Sequence, residues 1–294
     1  MSGSEDTIER GRPCEVCATP TIPWHLLGGG SLERCPDCGH LRRPLTSAPA
    51  HHRDLAYGGD PSLDTIRTAL TFRSLGHRGV RSVFEIGYGA GALLRHFHDA
   101  GAQVSGVDPG QLDVDVDPLV RDHGRLWSGP AEELPDGWVS ADLVVGVHVL
   151  EHVIDVHETI RKAVTMLQPG GCAVFLTPAG DSWGPKVYGS NWWMLEDPTH
   201  VRFFSADSLA RAAAGAGLSD IRVDRLVLDS VTTDIGSSSL RSTRRANGGN
   251  RATTRKTAFA DLLSTSYMSN FDDSDDFAGR RNTLPRCALS KTSQ

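Results

Sequence analysis

The stretch VFEIGYGAGALLRHF, residues 83–97, constrains the fold more than any other part of this sequence. An apolar segment runs into a turn with glycines at alternate positions, and the turn leads into an amphipathic segment. A strand, a glycine-rich turn and a helix in this order are typical of a Rossmann-type sheet, which presents backbone N–H groups to a ligand. The turn therefore predicts a ligand site, and the neighbouring residues have to indicate which ligand it holds.

The same alternation of strand and helix continues along the chain. Helices are predicted from Asp60-Pro61 onward, at 91–100, at 151–168 and from Ser205 to about 215–217. Strands are predicted at 82–86, 103–107, 125–128, 142–149, 172–177 and 220–228, and RCALSKTSQ near the C-terminal end reads as a last strand. Such alternation predicts an α/β fold in which a parallel sheet carries helices on both faces.

Four of the six cysteines form two Cys-x-x-Cys pairs, Cys14 with Cys17 and Cys35 with Cys38. Their spacing is typical of a zinc site with four thiolates, which closes the coordination shell. The sequence therefore predicts a structural zinc ion in a small N-terminal zinc ribbon. Two disulfides or four unrelated thiols are the alternatives, and a reducing compartment disfavours the disulfides.

These features divide the chain into regions. Residues 1–12 are predicted to be disordered, 13–42 to form the zinc ribbon, and 43–80 to be a linker followed by a helix. Residues 81–294 are predicted to form the main domain, with an insertion at 229–283 that is rich in Ser, Thr, Arg and Asn. Only 258–267 within that insertion has a helical pattern.

The composition narrows the class of protein. The formal net charge is −6 and the isoelectric point is about 6.0, which gives no general attraction to nucleic acid. Residues 1–12 lack the apolar core of a signal peptide, and the longest apolar run, 143–150, is too short to span a membrane. We expect a cytoplasmic protein without membrane association; the sequence makes no prediction of its oligomeric state.

Two acidic residues distinguish between candidate ligands. The strand before the turn usually carries only apolar residues in dinucleotide-binding folds, whereas here Glu85 precedes Gly87 by two positions. A carboxylate at that place can accept a hydrogen bond from an amino group. Asp108 stands at the tip of the second strand, where an acid binds ribose hydroxyls. The pair favours a ligand with a ribose and a positively charged end.

Residues 57–228 resemble the class I S-adenosylmethionine-dependent methyltransferases. The resemblance rests on four segments in the family's order and spacing: FEIGYGAG, GVDPG, DLVVGVHVLEHV and LQPGGCAVFLTP. It implies S-adenosylmethionine as cofactor. It also implies a Rossmann-like, doubly wound sheet of seven strands, six of them parallel and the last antiparallel, with RCALSKTSQ as the seventh.

The resemblance also implies which residues contact the cofactor. Glu85 and the glycines of the turn would surround its methionine end, and Asp108 would hold its ribose. Pro130 stands where many relatives carry an acid that binds adenine, so adenine recognition falls to the Ala131 backbone or to another group. The implied contacts are Glu85, Gly87, Tyr88, Gly89, Gly91, Asp108, Ala131 and His148.

The N-terminal segment, residues 33–60, resembles the lead-in of a bacterial subgroup related to deoxysugar C-methyltransferases. In that subgroup a zinc-ribbon knuckle, a basic stretch with proline and a tyrosine precede the core, which makes Tyr57 a candidate substrate contact. NWWMLEDPTHVRFF, residues 191–204, lies where related enzymes place substrate-binding groups. Trp192 and Trp193 are candidates for an aromatic wall against the substrate, with a lid packed on the core as the alternative.

Two histidines are candidates for the catalytic base. His200 resembles a histidine of the sugar C-methyltransferases, and it is the first candidate for a substrate contact and general base. His148 is the second candidate, and it could instead be a cofactor contact or a structural histidine. A base is needed only if the acceptor has to lose a proton.

The leading hypothesis is methylation of a small molecule, an intermediate of specialised-metabolite or sugar-nucleotide biosynthesis. Ribosomal RNA methylation is one alternative, since some ribosomal RNA methyltransferases carry an N-terminal zinc module. The acidic net charge disfavours it, and so does the lack of basic residues interspersed with aromatic residues at 13–42. A non-catalytic binding module is the other alternative, which the intact Glu85, glycines and Asp108 disfavour.

Overall fold

The computed structural model describes residues 11–44, 61–75, 79–111, 114–224, 237–242 and 289–291. Its strands are β1 (Ile22–His25), β2 (Ser31–Arg34), β3 (Leu41–Arg42), β4 (Ser82–Ile86), β5 (Gln103–Asp108), β6 (Arg125–Ser128), β7 (Ala141–Val147), β8 (Leu167–Leu176), β9 (Arg202–Phe203), β10 (Leu218–Ser219) and β11 (Leu289–Lys291). Its helices are α1 (Pro61–Ser74), α2 (Ala92–Asp99), α3 (Pro118–His123), α4 (Val156–Thr165), α5 (Trp183–Tyr188) and α6 (Ala206–Gly215). Residues 237–242 form a further short helix.

The larger sheet has seven strands in the order β10-β11-β8-β7-β4-β5-β6. The five strands from β8 to β6 pair in parallel with their neighbours. β11 pairs antiparallel with both β8 and β10, so β10 runs in the same direction as those five strands. The predicted sheet of six strands in one direction and a reversed last strand is confirmed.

Helices cover both faces of this sheet. On one face, α4 and α6 bury Val156, Ile160 and Ala212 in a core with Phe84 and Val144. On the other face, α2 and α3 pack into a second core, which contains Leu93, Leu94, Phe97, Val120, Val83 and Val145. The predicted doubly wound α/β architecture is therefore present, and the carboxyl ends of β4, β5, β7 and β8 meet at one edge of the sheet.

The N-terminal segment forms a second, four-stranded sheet in the order β1-β2-β3-β9. We call its described residues 11–43 the ribbon. β9 comes from the segment after the fifth parallel strand and pairs with β3, with Leu41 opposite Phe203 and Arg42 opposite Arg202. Sequence reasoning missed this strand because two residues are too short to show a period. The ribbon sheet is thus completed by the main fold.

The helix predicted at 151–168 is shorter in the structure and begins at Val156. Asp155 caps it, since its side chain accepts a hydrogen bond from the N–H of Glu158 at 3.0 Å. Residues 151–154 instead form a turn at the end of the sheet. This correction matters for function because it moves Glu151 and His152 from the helix into a loop.

Two strand predictions also need correction. β8 begins at Leu167, so the PGG sequence lies inside the strand, where the pairing with β7 shifts register between Ala141 and Leu143. Such a bulge accommodates residues that would otherwise break a ladder. The strand predicted at 220–228 is absent at residues 220–224; β10 lies just before them, at Leu218–Ser219, and residues 225–228 lie outside the described residues.

Several predictions fall on residues that the structure leaves out. They concern residues 1–10, most of the linker with Tyr57, and most of the insertion with its helical stretch at 258–267. Among the helices that are described, none is long and apolar enough to cross a membrane.

Candidate active site

The turn after β4 depends on glycine at three positions. Gly87, Gly89 and Gly91 have φ angles of 75°, 50° and 76°, in the left-handed region that L side chains rarely adopt. A Cβ atom on Gly87 would lie 2.6 Å from Cγ2 of Val149 in the loop after β7. The turn therefore passes against a neighbouring loop as well as changing the direction of the chain.

Asp108 ends β5 and binds the backbone of this turn. Its Oδ2 accepts a hydrogen bond from the N–H of Gly89 at 2.8 Å, and its Oδ1 accepts one from Gly110 at 2.7 Å. A carboxylate has about four lone-pair sites. Asp108 can therefore fix the turn and still accept hydrogen bonds from a ribose diol.

Glu85 lies in β4 with its side chain only 4% exposed. Its Oε2 is buried and lacks a hydrogen-bond partner among the described residues. Burial, and secondly the charge of Asp108, raise the pKa of Glu85 to about 8. A carboxyl group in this state gains most from a positively charged partner. The orphaned oxygen thus fits a ligand with an amino group, as S-adenosylmethionine has.

A cleft of about 750 Å³ runs along the carboxyl-terminal edge of the sheet. Most of the predicted cofactor contacts line it: Glu85, Gly87, Tyr88, Gly89, Asp108, Ala131 and His148. Gly91 is not among the lining residues; it is the N-cap residue of α2, at the end of the turn. The structure thus brings the residues of the family motifs to one surface.

One wall of the cleft was not predicted. Arg67, Leu70 and Thr71 of α1 line it, together with Thr68 and Ser74. These positions recur three and four residues apart and so share one helix face. Their mixed polarity gives no apolar stripe, which is why the sequence does not reveal the role of this face.

The other half of the cleft holds a cluster of four polar residues, which we call the histidine cluster: His148, Glu151, His152 and His200. Glu151 is fully buried; its Oε2 accepts a hydrogen bond from Thr177 Oγ1 at 3.0 Å, and its Oε1 lies 3.1 Å from Nδ1 of His148. One oxygen of Glu151 and one ring nitrogen each of His152 and His200 lie within 4.8 Å of one another. Donors of this kind and spacing can also hold a divalent cation.

Glu151 is the fixed negative charge of this cluster. Burial by itself would raise its pKa, but the hydrogen bond and charge of His148, together with His152 and His200, hold the pKa at about 2. His148 reaches Glu151 from a left-handed backbone conformation with a φ angle of 53°. Such a conformation in a residue other than glycine is uncommon and concentrates at functional sites.

His200 presents one ring nitrogen with a lone pair. Its Nδ1 lies 2.8 Å from the carbonyl oxygen of Met194, which can only accept, so Nδ1 carries the proton and Nε2 is the basic atom. Burial lowers the pKa of His200 below 6.5, against the opposing charges of Glu151 and Asp197. His200 is therefore a neutral imidazole near pH 7, and it lines the cleft.

Thr199 and Asp197 orient the second ring of the cluster. Thr199 Oγ1 donates to Asp197 Oδ1 at 2.6 Å, so it accepts from Nδ1 of His152 at 2.8 Å. The rings of His152 and His200 meet edge to face with centroids 4.6 Å apart. Sequence reasoning left Thr199 without a role, because a contact with a residue 47 positions away has no local signal.

The two tryptophans have different surroundings. Trp193 lines the cleft with Met194. Trp192 is 1% exposed and packs against Phe203, Leu32 and Leu41, between the ribbon and the main fold. The side chain of Trp192 fills a core and does not line the cleft, so the structure favours the alternative in which it packs on the core over a contact with the substrate. Tyr57 lies outside the described residues.

The four cysteines of the ribbon converge as predicted. Sγ of Cys17 lies 3.4 Å from that of Cys35 and 3.6 Å from that of Cys38, and the Cys14–Cys38 pair is separated by 3.7 Å. These distances exceed a disulfide bond of about 2.05 Å. They approach the edge of about 3.8 Å that four Zn–S bonds of about 2.3 Å would give. The donor set therefore fits a structural zinc ion.

Comparison with known proteins supports the motifs. Residues 54–223 match a family model described as a methyltransferase domain. Ubiquinone biosynthesis O-methyltransferase of Bradyrhizobium diazoefficiens is 36% identical over 108 residues, 36% of this chain and 43% of that protein. The enzyme of the same name from Mesorhizobium japonicum is 29% identical over 175 residues, 56% of this chain and 66% of that protein. The chain thus spans less than two thirds of the length of these relatives.

Among solved structures, an S-adenosylmethionine-dependent methyltransferase from Archaeoglobus fulgidus is similar at 18% identity and a TM-score of 0.43. The match covers 64% of this chain and 90% of that one. The family model covers more than half of the present chain and includes the glycine turn, Asp108 and the histidine cluster. The chain therefore belongs to the methyltransferase domain family, and its sheet is that of the class I methyltransferase fold.

Proposed function

We propose that this protein transfers the methyl group of S-adenosylmethionine to an oxygen atom of a small molecule. The observation that carries the proposal is the position of His200, a neutral imidazole that lines the same cleft as Glu85 and Asp108. The names of the relatives, which are O-methyltransferases, support oxygen as the acceptor atom.

In this proposal the residues around the glycine turn bind the cofactor. Glu85 binds its amino group, Asp108 accepts from its ribose, and the turn of Gly87, Gly89 and Gly91 approaches it closely. Tyr88, Ala131 and His148 complete the contacts. The unpartnered Oε2 of Glu85 supports the first assignment, and the lone pairs left on Asp108 support the second.

The chemistry needs few groups from the protein. When bound, S-adenosylmethionine supplies a methyl group that is already activated by the sulfonium charge, so positioning of the acceptor provides most of the acceleration. His200 accepts the proton of the acceptor hydroxyl at Nε2, since Nδ1 is already protonated and bound to Met194. Glu151 and Asp197 then stabilise the imidazolium. His148 is the second candidate for the base.

The acceptor that we propose is an intermediate of specialised-metabolite or sugar-nucleotide biosynthesis. The resemblance of residues 33–60 to the sugar C-methyltransferase subgroup supports it. The acceptor half of the cleft combines the apolar side chains of Trp193 and Met194 with the polar histidine cluster. This mixture suits a molecule with one apolar face and a hydroxyl group.

We also propose that Cys14, Cys17, Cys35 and Cys38 hold a structural zinc ion. The sulfur separations support this assignment, and so do the N–H groups of Val16 and Cys38, which lie 3.4 and 3.5 Å from Sγ of Cys14 and Cys35. With four thiolates the ion has no open position. It would therefore stabilise the ribbon and take no part in methyl transfer.

A methyl-transfer assay tests the proposed function. The protein is incubated with S-adenosylmethionine tritiated on the methyl group, against separate panels of nucleotide-linked sugars and phenolic metabolites and, in parallel, against ribosomal RNA. We expect transfer to a hydroxyl of one panel, and His200→Ala to lower turnover by about 10²–10⁴-fold. His98→Ala is the matched control, because this histidine lies on α2 and does not line the cleft.

Three results would contradict the proposal. Transfer to ribosomal RNA alone would favour the RNA methyltransferase alternative. Cofactor binding without transfer to any panel would favour a binding module. Full turnover of His200→Ala would remove His200 as the base and move that role to His148.

A further inference from the structure

The ribbon is joined directly to the segment that carries His200. We call residues 193–201 the acceptor loop, since they lie between Trp193, which lines the cleft, and β9. β9 follows this loop at once and pairs with β3 of the ribbon. The N–H of Arg43 extends the pairing by donating to the carbonyl of Val201 at 2.8 Å. The ribbon backbone thus reaches within one residue of His200.

The side chain of Arg43 makes a second connection to the same loop. Its Nε donates to the carbonyl of His200 at 2.8 Å, and its Nη2 donates to the carbonyls of Leu195 at 2.6 Å and Asp197 at 3.1 Å. Carbonyls that turn toward one point need a donor there. A planar guanidinium can serve several carbonyls at once, whereas an ammonium is a compact point charge.

Arg202 ties the ribbon to the other loop of the histidine cluster. Arg202 is 4% exposed, and its Nε donates to Glu15 Oε1 at 2.9 Å. Glu15 lies between the first two cysteines. The rest of the guanidinium donates to the carbonyls of Leu150, Val153 and Ile154, on either side of Glu151 and His152. Both loops of the cluster are therefore held by arginines at the ribbon boundary.

The cofactor half of the cleft is held by contacts of its own. The N–H of Gly87 donates to the carbonyl of Val107 at 2.7 Å, and Gly89 is bound by Asp108. These bonds join the ends of β4 and β5 inside the main sheet. Loosening the ribbon contacts should therefore affect the acceptor half while it leaves the cofactor half unchanged.

We propose that the ribbon is the scaffold of the acceptor half of the cleft, with Arg43 as the positioning residue that sets the acceptor loop and, with it, His200. As far as it concerns the reaction, this inference rests on the proposed role of His200. The position of the loop itself can be tested without any acceptor.

The experiment compares Arg43→Gln with Arg42→Gln in the full-length protein. Arg42 is the adjacent residue, but its Nε binds Glu33 within the ribbon at 2.5 Å. Amide hydrogen exchange is followed at residues 195–201, and diethyl pyrocarbonate labelling of His200 is followed by mass spectrometry. The dissociation constant of S-adenosylhomocysteine reports on the cofactor half.

For Arg43→Gln we expect at least about tenfold faster exchange in the acceptor loop and faster labelling of His200, because bonds to a charged donor are lost. S-adenosylhomocysteine should bind within about twofold of wild type. Arg42→Gln should change neither the exchange of the acceptor loop nor the labelling of His200. Arg43→Lys, which keeps the charge without the fork, should fall between wild type and Arg43→Gln in exchange and labelling.

Measurement of turnover tests whether the scaffold affects the reaction. The assay uses whichever acceptor from the panels above is methylated. We expect Arg43→Gln to lower kcat and to leave KM for S-adenosylmethionine unchanged. Equal exchange and labelling in the two glutamine variants would overturn the inference, as would a loosened loop with wild-type kcat. If His200→Ala keeps wild-type turnover while Arg43→Gln loosens the loop and lowers kcat, the proposed base fails and the scaffold stands.

Discussion

Two buried carboxyl groups in one cleft have pKa values displaced in opposite directions. Burial and the charge of Asp108 raise the pKa of Glu85 to about 8. Glu151 is as deeply buried, yet its histidine neighbours hold its pKa at about 2. Such separation usually marks groups with different tasks. Here Glu85 is prepared for a cationic ligand, and Glu151 is a permanent charge beside the histidines.

The first prediction follows from the raised pKa of Glu85. Between pH 6 and 7.5 the free protein carries Glu85 mostly protonated, and the amino group of the ligand favours the carboxylate. Binding therefore releases a proton, and affinity for S-adenosylhomocysteine should rise with pH by up to about tenfold per unit. Calorimetry in two buffers with different ionisation enthalpies measures the proton. Glu85→Gln should bind more weakly and release none; pH-independent binding by wild type would contradict the assignment.

The same residue gives a prediction for stability. A carboxyl group whose pKa rises on folding from 4.5 to about 8 stabilises the fold fully below pH 4.5, and this contribution is lost as pH rises through 8. Ionisation of Glu85 thus opposes folding at pH 7.5. Glu85→Gln should raise the Tm of the ligand-free protein at pH 7.5, and by less at pH 5.5, in a thermal denaturation series. A lower Tm at both values would show that Glu85 is structural.

His200 gives the third prediction. Because burial lowers its pKa below 6.5, the ring stays neutral and basic down to that pH. Turnover limited by this base should fall only at pH values under 6.5, as the ring takes up a proton. A pH profile of kcat measures the midpoint of this decrease. The residual activity of His200→Ala should not show the decrease at acid pH. If the midpoint in wild type lies above pH 7, the decrease reports on the titration of another group.

At the scale of elements, the glycine turn is held between α2 and the loop after β7. Glycine is required at position 87 for two reasons. Its φ angle is 75°, and a Cβ atom there would lie 2.6 Å from Cγ2 of Val149. Gly101 has a φ angle of 89°, but apart from its chain neighbours no atom of the described residues lies within 4 Å of the place where its Cβ would be. The two positions therefore separate backbone strain from steric overlap.

The fourth prediction uses this pair. Gly101→Ala should cost about 1–2 kcal/mol of unfolding free energy from the left-handed conformation alone. Gly87→Ala should cost a further amount of about 1–3 kcal/mol from overpacking, and it should weaken binding of S-adenosylhomocysteine as well. Urea denaturation measures the first effect and calorimetry the second. Equal costs with unchanged binding would mean that the turn does not press on Val149.

These elements also show where sequence reasoning works and where it stops. The segment from β4 to α2 was predicted to within a residue at each boundary, because its period changes from two to 3.6 at marked glycines. β9 was missed, since its partner lies about 160 positions away in the chain. Asp155 was not recognised as the helix cap, so Glu151 was placed in a helix. An aromatic residue in a loop, such as Trp192, is typical of a binding site. Only the packing of the ribbon shows that its side chain lies in a core.

At the scale of the whole molecule, the ribbon is packed onto the main fold at several points. Ser205 Oγ donates to the carbonyl of Cys38 at 2.5 Å, and Nε2 of His157 donates to the carbonyl of Glu15 at 2.7 Å. Arg211 of α6 pairs with Asp37 at 2.6 Å. The cysteine turns themselves are therefore the surface that contacts α4 and α6.

The fifth prediction concerns the metal. Elemental analysis should find one zinc per chain that is lost in Cys35→Ser, and the variant should have a lower Tm because binding energy at such a site is folding energy. Since the cysteine turns contact the main fold, loss of zinc should also speed hydrogen exchange in the acceptor loop. Zinc-free protein with the wild-type Tm would contradict a structural ion.

The central claim is that this cleft binds S-adenosylmethionine, and calorimetry with S-adenosylhomocysteine and NAD tests it most directly. Oε2 of Glu85, which has no hydrogen-bond partner among the described residues, and the ribose site proposed at Asp108 predict one molecule of S-adenosylhomocysteine per chain. Binding should weaken in Asp108→Ala, and NAD should give no binding heat. Tight binding of NAD with none of S-adenosylhomocysteine would contradict the account.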